Sequence, residues 1–221
     1  VVSACLLSAV AAIETTAQTY HSGQNLQPVF EGWEQNSDGS FNLVFGYLNR
    51  NYEERLNIPV GPDNFLEPGE PDQGQPAYFY PRRQRFVWRV RVPADWGDKE
   101  LVWTVTAHGR TDRAVGWLVP EQIIDEQVVA MNRSGGGAPE IVNRPPSLML
   151  FEGQQRTVAW HESLTLTAVI GDDGVPAVRP ARNSRPPGRR NALGLRLAWV
   201  QYRGPGSVTF QGIRQGHGIY N

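Results

Sequence analysis

The sequence predicts an all-β protein of two β-sandwich units, and three observations carry that reading. Phe86, Trp88, Val90 and Val92 fall on one parity, and Leu101, Trp103, Val105 and Ala107 form a second such run. Side chains on a strand alternate between its faces, so each run has one apolar face. Gly (23) and Pro (17) are abundant, and no long stretch repeats apolar residues at helical spacing, which favours short strands and turns. Seven Trp, seven Tyr and eight Phe among 221 residues are enough to build cores. The link Pro93-Ala94-Asp95-Trp96-Gly97-Asp98 is rich in turn residues, so the two runs are expected to pair as an antiparallel hairpin. A second sheet is then needed over the Phe86/Trp88/Trp103 face.

Val1 to Ile13 is apolar and uncharged. It falls short of the roughly 20 residues that span a bilayer, but it fits the apolar core of a secretory signal. Residues 1–17 are therefore expected to be a signal peptide or a membrane anchor. Ala9-Val10-Ala11 and Thr15-Thr16-Ala17 both suit cleavage, and Val2-Ser3-Ala4-Cys5 resembles the lipobox of bacterial lipoproteins. Cleavage, retention and lipidation at Cys5 all stay open. Cys5 is the sole Cys, which excludes an internal disulfide framework.

Residues 18–131 are expected to form the first sandwich. Val29 to Glu34 is a short strand, and Asn36-Ser37-Asp38-Gly39 a turn whose residue types accept left-handed backbone. Phe41, Leu43, Phe45 and Tyr47 alternate as a strong strand, and Leu56, Ile58 and Val60 give another. Gly61 to Pro81 reads as a long loop, of a length that is often functional. Ala114 to Val119 is a further strand, and Pro120 to Met131 is ambiguous. Residues 132–146, with Gly135-Gly136-Gly137 and Pro145-Pro146, form a linker.

Strand candidates resume at Leu148 to Phe151, Arg156 to Ala159, Leu164 to Ile170, Leu193 to Tyr202 and Val208 to Phe210, with a Pro- and Arg-rich loop at Val175 to Asn191. Pro145-Pro146, the run Leu164 to Pro176 with Asp172-Asp173-Gly174, and the run Leu197 to Phe210 with Trp199 and Gly204-Pro205-Gly206 carry a resemblance. This last third of the chain resembles the immunoglobulin-like, PKD-like repeats of bacterial surface and exported proteins. The resemblance implies two immunoglobulin-like β-sandwich units joined by the Gly/Pro linker, the second over 147–221 with Trp199 in its core. The first unit, with Gln27 to Trp33 and Phe45 to Tyr52, resembles uncharacterised exported bacterial proteins carrying the same pair of modules. Such repeats have two more strands after the Val208-Thr209-Phe210 stretch, a pattern that Gln211 to Gly218 lacks. The second sandwich is thus expected to be incomplete, with an open sheet edge, either as a fragment or completed by a partner.

Charge is unevenly placed. With 13 basic and 22 acidic residues, the first 173 positions carry −9; the remainder, with eight Arg and no acid, carries +8. Arg outnumbers Lys twenty to one, which reflects either codon bias or guanidinium chemistry at interfaces. His21, His108, His161 and His217 stand in unrelated contexts, and no catalytic motif is present. Asp63, Asn64, Glu67, Glu70 and Asp72 are the best oxygen donors for a hard cation, against a solvated acidic loop. Asp172-Asp173-Gly174 reads as a turn. Arg82, Arg83, Arg85, Arg89 and Arg91 read either as a ladder paired with acids on a neighbouring strand or as a face for an acidic partner.

Arg179, Arg182, Arg185, Arg189 and Arg190 are the candidate partner-binding residues, for an acidic protein surface or anionic lipid. No cofactor, metal site or nucleic-acid partner is expected. The expected role is a non-catalytic accessory subunit on the periplasmic face of a larger membrane protein complex, for example a photosynthetic reaction centre or respiratory assembly. The alternative is an exported glycan- or ligand-binding module using Tyr78 and Tyr80.

Overall fold

A computed structural model of the chain describes residues 20–125, 128, 146–150, 155–173 and 197–210. These residues fall into two units. The first comprises the residues up to Leu118 together with Gln201–Val208; the second comprises Val119–Val200 and resumes at Thr209.

The first unit contains two three-stranded antiparallel sheets. One has the order β1 (Leu26–Gln35), β2 (Phe41–Asn49), β6 (Arg82–Val92); the other β4 (Asn64–Glu67), β7 (Leu101–Ala107), β8 (Arg110–Gly116). A two-stranded pair, β3 (Leu56–Asn57) with β5 (Tyr78–Phe79), completes it. The two sheets share one core. Phe45 on β2 stacks on Trp88 of β6 at 5.3 Å, and both meet Trp103 of β7 edge-on, at 6.0 and 5.3 Å. Phe79 stacks on Trp103 at 6.3 Å and meets Tyr47 at 5.0 Å. Trp103, Phe45 and Phe79 are fully buried, and aromatic contacts of this kind add to the area they take from water.

The period-two pattern is observed, with two corrections. Trp88, Val90, Val92, Leu101, Trp103, Val105 and Ala107 are all buried, but β6 and β7 do not pair: they lie in different sheets. Each has one apolar parity, and those faces meet across the core, so residues 93–100 cross between sheets. Hairpins form instead at Asn36–Ser40, where Asn36 N–H donates to Ser40 O at 2.8 Å, and between β7 and β8. The β7–β8 link is the dipeptide His108-Gly109, with φ of 49° and 72°, the two left-handed residues that a tight type I′ hairpin requires.

The second correction is Phe86. The β2–β6 register slips between Phe45 and Tyr47, with Phe86 at φ 51°, so the alternation breaks there. Phe86 is only partly buried, and Val87 packs on the core in its place. A β-bulge of this kind is invisible to parity counting.

Residues 61–81 are not a plain loop, since they contain β4 and β5. Strand β1 is longer than expected, and β8 starts at Arg110 rather than Ala114. A 3₁₀ turn spans Pro120–Gln122.

In the second unit the described strands are β9 (Ser147–Leu150) and β10 (Ala168–Gly171), paired antiparallel. The expected strands at Arg156–Ala159 and Leu164–Leu166 are irregular, as are residues 197–202 and 207–210. Trp199 is half-buried and lies outside the core cluster. Residues 1–17, most of the linker and the Arg/Pro-rich loop lie outside the described residues.

Candidate interaction surfaces

The outer face of the β1–β2–β6 sheet carries the Arg ladder. Arg83 Nη2 donates to Glu31 Oε2 at 2.8 Å, while its Nη1 lies 2.7 Å from Oε1 and is aimed at the Gln84 carbonyl, also at 2.7 Å. Arg89 grips Glu34 through Nε and Nη2 at 2.8 and 2.9 Å, and Arg91 pairs with Asp38. The acids lie on β1 and its turn, so each Arg reaches over β2, one strand further than the ladder reading expected. Gly46 of β2 leaves room for this crossing, because a Cβ there would collide with Glu31 Oε1 and the Gln84 carbonyl.

Val44, in register with Arg89, is fully buried on this same face. The bond to Glu34 raises the Arg89 pKa, and the Ser40 hydroxyl, the Ser40 amide and then Arg91 hold the Asp38 carboxyl below its ordinary value. Arg82 lies 4.0 Å over the Tyr52 ring and donates to Arg50 O. These four cations are each engaged within the unit.

The five oxygen donors of residues 63–72 do not assemble. Asn64 is fully buried and structural: its Nδ2 donates to Ile58 O (2.9 Å) and Pro76 O (2.8 Å), and its Oδ1 accepts the Trp103 indole N–H (2.9 Å). Asp72 is held by Arg203, and Glu67 and Glu70 are exposed. Among the described residues no three His, Cys, Asp or Glu side chains come together as a metal site.

A shallow groove of about 410 Å³ runs between Leu56–Asp63 and Thr106–His108. His108 at its end has Nε2 at 3.1 Å from Glu54 Oε1, and Glu54 Oε2 accepts the Gly23 amide at 2.7 Å. The imidazole and that carboxylate are thus tied to each other.

A surface that sequence reasoning missed is the cleft along residues 72–80. Gln201–Gly204 lies in it as a strap. Tyr202 O accepts the Ala77 and Tyr78 amides at 3.0 and 3.1 Å, and Gln201 N–H donates to Tyr80 Oη at 2.8 Å. Tyr202 Oη donates to Gly74 O at 2.6 Å. The Arg203 fork donates to both Asp72 oxygens at 2.9 and 2.7 Å, and its Nε to Gln75 O at 2.7 Å.

The Asp72 pKa is lowered, first by the Arg203 bonds and then by the Gly74 amide; burial pushes Tyr202 up to about 12. Tyr80, half of the candidate glycan platform, has its hydroxyl taken by the strap and its ring flanked by Arg55 at 5.3 Å. Tyr78 meets that ring at 5.4 Å. The Gly204-Pro205-Gly206 turn was the one visible signal that an irregular segment comes after Tyr202.

In the second unit, apolar side chains of the β9–β10 pair face solvent: Leu148 is 57%, Met149 66% and Val169 45% exposed. Trp160 is 83% exposed. The candidate partner-binding residues Arg179, Arg182, Arg185, Arg189 and Arg190 lie outside the described residues. No described helix is long and apolar enough to cross a membrane. No family model, curated protein or solved structure matches this chain.

Proposed function

We propose that this protein is a non-catalytic accessory subunit, exported and held on the extracytoplasmic face of a larger membrane protein complex. The observation that carries the reading is the exposure of the β9–β10 pair. Among the described residues β9 and β10 pair only with each other; a two-stranded pair is marginal in water, and this one leaves Leu148 and Met149 more than half exposed. An exposed apolar pair of that kind gains stability by being covered by another protein. The Arg-rich segment 179–190 and anionic lipid are the second element of the grip; they rest on the sequence, as does export.

We read the first unit as immunoglobulin-like. In support, β1–β2–β6 against β4–β7–β8 is the A-B-E and C-F-G strand arrangement of that class.

The test is extraction of the native protein from membranes in mild detergent. Co-migration with a defined complex is expected, and the double variant L148S/M149S should lower the bound fraction at least tenfold. A lone monomer carrying polysaccharide would overturn the subunit reading in favour of a glycan-binding module.

A further inference from the structure

We infer that the cleft along residues 72–80 is a recognition site for an extended Gln-Tyr-Arg-Gly segment, and that a second copy of this chain can supply it. Both main chain and side chains are read. The Ala77 and Tyr78 amides bind the Tyr202 carbonyl, while Asp72 selects the guanidinium and the Gly74 carbonyl selects the phenol. This is how extended peptides are recognised generally: main-chain bonds supply affinity and side-chain sites supply specificity.

The cleft is shaped without the strap. Gln75 is fully buried and donates to Pro71 O at 2.7 Å, and its Oε1 accepts the Gln73 amide at 2.9 Å. Gln73 Nε2 donates to the Pro68 and Glu70 carbonyls, both at 3.0 Å, and the Gly74 amide donates to Asp72 Oδ1 at 3.0 Å. The Tyr80 amide is fixed on Tyr47 Oη at 2.9 Å.

The strap is shaped without the cleft. Gln201 Nε2 donates to Gly206 O at 2.5 Å, and its Oε1 accepts the Val208 amide at 3.2 Å. Two preformed parts bind with little ordering cost.

The chain leaves the first unit after Leu118 and returns at Gln201, and that stretch includes three successive Gly. The cost of closing so long a connection grows only slowly with length, so the strap docks on its own cleft and, where repulsion blocks that cleft, on the equivalent cleft of a second copy. The contacts are identical whichever copy supplies the strap, so exchange gives a closed, symmetric dimer.

The test uses the full chain and two single variants, D72R and R203D. Alone, each faces like charges in the cleft, so its strap is undocked and the protein is a monomer of 24.6 kDa. Mixed one to one, exchange gives the native Asp72–Arg203 pair in one cleft and its reverse in the other. Light scattering should then report a species of twice the mass, and the Ala77 and Tyr78 amides should regain slow hydrogen exchange. The double variant D72R/R203D should stay monomeric.

A second arm adds a synthetic peptide of residues 197–210 to R203D, with near-UV circular dichroism confirming the intact aromatic core. Protection of the same two amides by the peptide is expected. A mixture that stays monomeric, together with amides that the peptide leaves unprotected, would overturn the inference.

Discussion

Asn64 closes three hydrogen bonds with one fully buried amide, holding two chain segments and the central indole together. N64L keeps the number and branching of the side-chain heavy atoms but strands two carbonyls and the Trp103 N–H. Each buried orphan costs about 1–3 kcal/mol, so urea unfolding should show a loss of about 3 kcal/mol; a loss under about 1 kcal/mol would show that water replaces the amide.

Gly116 is a second sensitive position, since a Cβ there would stand 2.7 Å from Phe45 Cζ and 3.1 Å from the Phe30 ring. Overpacking of that degree costs roughly 1–3 kcal/mol, so G116A should lower the melting temperature, and the F30L background should restore part of it.

Legibility at this scale is uneven. Trp103 was readable as core from parity alone. Asn64 was not, because its residue type suits a cation ligand as well as a core anchor, and only burial decides between them.

Among the elements, the strap carries a pH dependence with two limits. Arg203 faces Asp72, and both face the Tyr202 ring. Asp72 has a lowered folded pKa, so its contribution is present above the ordinary carboxylate value of 3.8 and is lost as pH falls through the lower folded value. Tyr202 has a raised one, so its contribution is complete below pH 10.0 and is lost as pH rises towards about 12. Hydrogen exchange at Ala77 and Tyr78, corrected for intrinsic rates, should therefore show flat protection between pH 4 and pH 10 with a fall on either side. D72N should remove the acid limb and spare the alkaline one; an acid limb unchanged in D72N would place its cause elsewhere.

Strand existence was readable from alternation, and so was the turn at Asn36–Gly39. Strand partners were not: β6 and β7 adjoin in sequence and each carries an apolar parity, yet they sit in separate sheets. Pairing depends on which faces must meet across a core, and composition does not record that. Nor does any local pattern announce a contact between Asp72 and Arg203, which are 131 residues apart.

For the whole molecule, the all-β class followed from period-two patterning and abundant turn residues, and the first unit bears it out. The finer expectations were harder to read. A break in composition marks a linker, but it does not tell which side of the break a later segment packs on. Gln201–Val208 lies on the far side in sequence and belongs to the first unit by its contacts. A chain ended after Gln201, keeping everything before Tyr202, should lose about 2–4 kcal/mol in the unfolding step of the first unit. That figure comes from several hydrogen bonds of about 1 kcal/mol each and the burial of the Tyr202 ring against the core. An unchanged midpoint would mean the strap adds nothing to that unit's stability.

The order of synthesis gives the strap one more consequence. Asp72, Gln75 and Tyr80 leave the ribosome more than a hundred residues before Gln201 and Arg203, which they will hold. Through that interval the earlier part can settle its aromatic interior but must wait for its clasp. A nascent chain stalled at residue 200 and one stalled well beyond 208 should therefore differ in protease resistance within residues 72–80.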